Sequence, residues 1–340
     1  MSIVIRILIL LVGILAASTA SAQGQLEFGS GATHETNRES TYGWELDYSE
    51  ELGQHAYMTL GWLNEGHQID NHRDGLNSQI WARTDLIDSK LSIAAGVGPY
   101  FYFDTVRDGP HPSYAQYENK HGPGLIYSAE LTYYLDSPWL LYLRANRVIA
   151  ESGSNTSMLL LGFGYRFGGR RDRAQPSAPP ESSLTEGPLD DELTVALGRT
   201  SLNSFVSEGS SAYAVEYRHD LSRHVDWTVG WLEEGENNII HRDGVTSQFW
   251  LVKPLRDDRL VLGIGAGVYV AVDQHDQTFV VMHHQPSGVD SDDDRLSGII
   301  SVMATWRFDP RWFIRGSFNR VVTHYDRDAD VILLGAGYRF

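Results

Sequence analysis

The chain has 340 residues, 42% of them hydrophobic and 11% aromatic, with 33 Gly and no Cys. That is too apolar for a disordered protein, and the missing Cys excludes a disulfide scaffold, a thiolate metal site, a cysteine nucleophile and a lipobox anchor. A formal charge of −17, from 44 acidic against 27 basic residues, excludes nucleic acid as a partner, because phosphate binding needs a basic stripe that releases counterions.

At the amino terminus Arg6 precedes an apolar run from Ile7 to Ala17, then Ala20-Ser21-Ala22 before Gln23. A charged, then apolar, then small-residue order is that of a secretory signal, and cleavage is expected after Ala22, removing residues 1–22. No later segment supplies the roughly 18 uncharged apolar residues of a helical span. A membrane location for the remainder therefore means a β-barrel.

The rest of the chain is written twice. Gly61-Trp62-Leu63 recurs as Gly230-Trp231-Leu232, Glu65-Gly66 as Glu234-Gly235, and His72-Arg73-Asp74-Gly75 as His241-Arg242-Asp243-Gly244, all offset by 169 residues. The same register relates Ser78-Gln79 to Ser247-Gln248, Trp81 to Trp250, Gly96 and Gly98 to Gly265 and Gly267, and Tyr100 to Tyr269. After a length change in one loop the match resumes at an offset of 173, carrying Trp139, Asn146-Arg147-Val148 and Gly164-Tyr165-Arg166-Phe167 onto Trp312, Asn319-Arg320-Val321 and Gly337-Tyr338-Arg339-Phe340. Between the copies, residues 168–190 contain Arg170-Arg171, Pro176, Pro179-Pro180 and Pro188, the composition of a linker.

In the second copy, period-two alternation predicts strands over Glu192–Thr200, Ala212–Arg218, Asp226–Glu233, Val245–Val252, Arg259–Val272, Ser297–Arg307, Trp312–Asn319 and Val331–Phe340. Their connections alternate between short, as at Asp220–Arg223, and long, as at Gly235–Asp243 and Asp273–Leu296. Short turns at one end and long loops at the other are the pattern of an outer-membrane barrel. In the last strand Ile332, Leu334, Ala336, Tyr338 and Phe340 are expected to face lipid; in the fifth, Leu260, Leu262, Ile264 and Val268, with Gly263, Gly265 and Gly267 inward. Trp62, Trp139, Trp231 and Trp312 are expected near strand ends on the lipid side, where indole rings prefer the interface. The expected fold class is all-β, a transmembrane antiparallel up-and-down barrel made of two tandem eight-stranded units, 23–167 and 191–340. One sixteen-stranded barrel is the alternative; it would enclose water, whereas eight strands leave room only for packed side chains. The separate closing Tyr165-Arg166-Phe167 and the Pro-rich linker favour two units.

With its signal, eight-strand units and closing Gly335-Ala336-Gly337-Tyr338-Arg339-Phe340, the chain resembles small bacterial outer-membrane β-barrel proteins. The resemblance implies residence in the bacterial outer membrane and assembly by the barrel-insertion machinery, which reads such a carboxyl-terminal strand. Two lipid A enzymes of this size, the palmitoyltransferase and the 3-O-deacylase, are similar in layout. Their catalytic pairs are not matched here, since Asn64-Glu65-Gly66-His67 and Arg144-Ala145-Asn146-Arg147 stand at the corresponding places, and no catalytic residue is carried over.

The polar residues kept in both copies are the candidates for chemistry. Thr59, Gly61, Leu63, Glu65, Gln79, Trp81, Arg83, Arg144 and Asn146 are expected to point inward, as are Thr228, Glu234, Gln248, Trp250 and Asn319. A functional arrangement would use His72 as general base, oriented by Asp74 or Glu65, with His241, Asp243 and Glu234 as the second set. Arg73, Gln79, Asn146, Arg242, Gln248 and Asn319 would bind ligand, an arginine holding a phosphate by its two-pronged fork. In the structural alternative, which the residue types favour, Glu65 and Arg73 pair to pin a loop and Asp74-Gly75 is a turn. Asp290 and Asp292-Asp293-Asp294, with His283-His284, read as a solvated loop and not a cation site, so neither metal nor cofactor is expected. Partners are then outer-membrane lipid and lipopolysaccharide, and the expected role is structural or surface interaction through long loops. A lipid A-modifying enzyme and a diffusion pore are the alternatives.

Overall fold

The computed structural model describes residues 24–36, 40–67, 71–87, 89–107, 117–151, 155–167, 189–205, 208–237, 239–256, 258–276 and 295–340. The signal segment, nearly all of the linker and the Asp290–Asp294 run lie outside the described residues. Sixteen strands are present among those described. The first eight are β1 (Gly24–Glu35), β2 (Ser40–Glu51), β3 (Ala56–His67), β4 (Asn71–Ile87), β5 (Leu91–Arg107), β6 (Tyr117–Tyr134), β7 (Trp139–Ala150) and β8 (Asn155–Phe167). The second eight are β9 (Asp191–Leu202), β10 (Gly209–Ser222), β11 (Val225–Glu236), β12 (Ile240–Leu255), β13 (Leu260–Asp276), β14 (Leu296–Arg307), β15 (Trp312–Val322) and β16 (Ala329–Arg339).

Each set closes on itself. β1 pairs with β2 and with β8, from Gly24↔Phe167 to Glu35↔Thr156, and β9 pairs with β10 and with β16, from Glu192↔Arg339 to Leu202↔Ala329. The chain thus forms two closed eight-stranded barrels, not one of sixteen strands. Among the described strands no edge is left open, which satisfies the backbone without water.

Inside and outside are reversed relative to a water-soluble protein. Leu161 is 69% exposed, Leu334 67% and Ile332 62%, whereas Glu27, Glu45 and Arg144 are at most 1% exposed. Leu141, Leu143, Leu159 and Phe163 also lie outward in the first barrel, and Leu193, Val195 and Leu197 in the second. A soluble barrel would bury the leucines and solvate the carboxylates; this one presents an apolar outer surface of the kind that lipid covers. Strands of 11 to 18 residues exceed the roughly 9–11 needed to cross a bilayer at a tilt. Trp139, Trp231 and Trp312 are exposed on the outer face, while Trp62, on the outward row opposite Leu46, is covered and stacks on Phe103 at 5.7 Å.

One predicted loop is not a loop. β11 continues to Glu236 and β12 begins at Ile240, so only three residues separate them, and β3 and β4 are likewise separated by three. His72-Arg73-Asp74 and His241-Arg242-Asp243 therefore lie on strands. The cause is a bulge retained in both copies: the register shifts between Asn64 and His67, and between Glu233 and Glu236. Gly66 and Gly235 occupy these bulges at φ +88° and +77°, a conformation in which L side chains are strained.

Candidate functional site

The side chains retained in both copies meet one another inside each barrel. At the end where β3 joins β4, Arg73 donates from Nε to Glu65 Oε1 at 2.7 Å and from Nη2 to Oε2 at 2.6 Å. Tyr100 Oη adds a bond to Oε1 at 2.7 Å, and Thr156 donates to Oε2. In the second barrel Arg242 holds Glu234 at 2.7 and 2.8 Å and donates to Tyr325 Oη at 2.7 Å. Both pairs are buried. A carboxylate accepting four hydrogen bonds is committed to structure, and Arg73 and Arg242 turn their forks to carboxylates of their own barrels.

One layer further in, the first barrel packs Leu63, Tyr102, Ile126, Val148 and Leu160 across its axis. Beyond that layer lies a charge cluster centred on Arg144. Its guanidinium reaches Glu27 at 2.6 Å, Glu45 at 2.6 Å, Glu130 at 2.5 Å, and Asp47. It also lies 5.0 Å over the Trp81 ring and 4.7 Å over that of Tyr142, within cation–π range. Trp81 Nε1 donates to Thr59 at 3.0 Å, and Trp250 repeats the bond to Thr228 at 3.0 Å. Gly96 and Gly265 leave the space for these indoles: a Cβ at either would sit 2.5 Å from the ring.

The ligand-binding candidates are absorbed into the same packing. Asn146 donates to Glu45 at 2.8 Å and accepts from Ser128 at 2.7 Å; Asn319 accepts from Ser301 at 2.7 Å and donates to the Val331 carbonyl at 3.3 Å. Gln248 Oε1 also lies 2.8 Å from the Ser301 hydroxyl, and Gln79 lies 3.5 Å from Asn77 Oδ1. Asn146 points inward, as alternation predicts, and joins the Arg144 cluster through Glu45.

The proposed catalytic set is divided by the pleat. Arg73 pairs in register with Asp104 and faces in, so His72 and Asp74 face out. His72 meets Asn64 Nδ2 at 3.1 Å and stacks on His67 at 4.1 Å. Glu65 is on the opposite face and cannot orient His72. His241 and Asp243 face out in the same way, away from the inward Glu234–Arg242 pair.

The interior charges differ between barrels. In the second, Glu192 is the buried hub, touched by Arg307 at 3.1 Å, Arg339 at 3.1 Å, Arg218 at 4.0 Å, and Arg315. Arg315 corresponds to Tyr142 under the 173-residue offset, and Arg144 to Ser317. The core arginine has therefore moved one inward position along the same strand. A cavity of about 40 Å³ remains here, between Glu216, Arg218, Trp250 and Asn319, room for about three waters. The residues of these hubs could be placed inward from alternation, but their partners come from strands far apart in sequence.

No family model matches the sequence, and no curated protein does. Among solved structures the chain is similar to small outer-membrane β-barrels. The N-terminal β-barrel domain of OprF from Pseudomonas aeruginosa is 14% identical, with a TM-score of 0.33, covering 43% of this chain and 100% of that one. Ail, the attachment invasion locus protein of Yersinia pestis, in complex with the heparin analogue sucrose octasulfate, is 13% identical with a TM-score of 0.34, covering 43% and 99%. Neisserial surface protein A is 13% identical with a TM-score of 0.32, covering 43% and 97%.

Proposed function

We propose that the protein is an integral outer-membrane component with a structural or surface-interaction role, its two barrels acting as closed, membrane-embedded mounts for the loops at the β3–β4 and β11–β12 end. The observation that carries this reading is the filled interior of each barrel. Trp81, Arg144 and four carboxylates occupy the first, and Trp250, Arg218, Arg315 and Glu192 the second. A pore needs a continuous aqueous path, whereas the cavity between Glu216, Arg218, Trp250 and Asn319 in the second barrel is about 40 Å³. An outer-leaflet enzyme needs a nucleophile or water activated beside a base. The site expected for it is split between faces, and its carboxylates Glu65 and Glu234 are bound to arginines.

Planar-bilayer recording tests the reading directly. The wild-type protein is expected to give a quiet baseline, and large stable conductance steps would replace the mount with a channel. Mass spectrometry of lipid A from cells with and without the protein forms the second arm. Identical acyl composition is expected, and a change abolished by His72→Ala with His241→Ala would make it an enzyme.

A further inference from the structure

Among the described residues, the outer rim of the second barrel holds a cluster that the first barrel lacks. β12 and β13 pair regularly from Leu255↔Leu260 to Gly244↔Ala271, and the register then skips Val272, so that Asp243 pairs with Asp273. A bulge of one residue exchanges the two faces of everything beyond it. In the first barrel, β4 and β5 run past the equivalent point without interruption, pairing Asp74 with Phe103 and Arg73 with Asp104. Asp104 and Asp273 correspond under the 169-residue offset. Asp104 is buried in the interior and accepts from Asn71 at 3.5 Å, whereas Asp273 is exposed beside Asp243 and His241.

One ligand atom from each of His241, Asp243 and Asp273 falls within 4.8 Å of the other two. Two carboxylates brought together on a low-dielectric rim repel, and a cation between them relieves that repulsion. One oxygen of Asp243, Oδ1, is buried and accepts no hydrogen bond among the described residues. One imidazole and two carboxylates on one face are a donor set for zinc or manganese ions more than for magnesium, which prefers oxygen and water alone. We propose that His241, Asp243 and Asp273 form a divalent transition-metal site, created by the Val272 bulge, that ties β12 to β13 at the rim of the second barrel.

Calorimetric titration of the refolded full-length protein in detergent, with ZnCl₂ and separately MnCl₂, tests the site. The expected result is one saturable equivalent for at least one ion, weakened at least tenfold in His241→Ala and in Asp273→Ala, and unchanged in His72→Ala and Asp104→Ala. Folding of each variant is checked by its heat-modifiable mobility on gels. Asp243→Asn supplies a second arm: it keeps the size of the side chain and its place opposite Asp273 but removes one ligand charge, and it should weaken binding at least tenfold. Absence of saturable binding to the wild type, or binding that survives both His241→Ala and Asp273→Ala, or that survives Asp243→Asn, overturns the proposal.

Discussion

Arg144 is the centre of the first barrel's buried charge cluster, where one guanidinium serves Glu27, Glu45, Asp47 and Glu130 at once. Removing the cationic partner of a buried charge leaves that charge uncompensated, which costs about 3–5 kcal/mol. Arg144→Met is expected to destabilise the first barrel by about that much, read as a shift in the urea midpoint of tryptophan fluorescence. Adding Asp47→Asn should recover part of the loss, so the pair of substitutions would be non-additive. The indole bond is a smaller effect. Trp81 donates to Thr59 across adjacent strands, and Thr59→Val should cost about 1 kcal/mol by leaving a buried donor without its acceptor. The matched change Thr228→Val should act in the same way on the second barrel, where Trp250 makes the same bond.

At the scale of elements, the β3–β4 hairpin depends on a glycine with a positive φ. A Cβ on Gly66 would lie 1.9 Å from the Tyr42 carbonyl oxygen, and one on Gly235 would lie 2.1 Å from that of Ser211. Gly66→Ala should therefore open the hairpin end and loosen the Glu65–Arg73 pair, at a cost of about 1–3 kcal/mol. Faster amide exchange confined to the ends of β3 and β4, with the distal halves unchanged, is the expected signature; uniform protection would argue against a bulge. The retained Glu-Gly dipeptides were visible in the sequence as a repeat, but their meaning was not. Alternation placed Glu65 inward and correctly put Ile332 and Leu334 outside, since a period of two is a local property. The hairpin length was missed because a bulge and an ion pair eight residues apart extend the strands beyond the alternating run. The Asp273 bulge escaped for the same reason: Asp104 and Asp273 look alike in sequence and differ only in how a neighbouring strand is counted against them.

For the whole molecule, the strand count and the two-unit organisation followed from the internal repeat, because each copy brings its own closing strand. The hub partners did not follow. Glu27, Glu45, Asp47, Glu130 and Arg144 stand on β1, β2, β6 and β7, and only closure of the ring brings them together. Since each ring closes without borrowing a strand, residues 23–167 and 191–340 expressed separately should each refold in detergent to a heat-modifiable, protease-resistant species. Failure of either to do so, with the full chain folding under the same conditions, would show that the units depend on each other. The two interiors centre on opposite charges, Arg144 among carboxylates in the first and Glu192 among arginines in the second, where Glu216 and Asp226 also pair with Arg218; what persists between the copies is the pairing of buried charges and not a particular ion.

The seam of the first ring has a further consequence. Gly24 and Phe167 are register partners across β1 and β8, so the chain ends its circuit beside the point where it began. A circle of this kind has no privileged starting point. Joining Phe167 to Gly24 by a short connector and reopening the chain between β4 and β5 should give a circular permutant with the same barrel. The same adjacency suits duplication, because a polypeptide that returns to its origin is already in position to trace the path a second time.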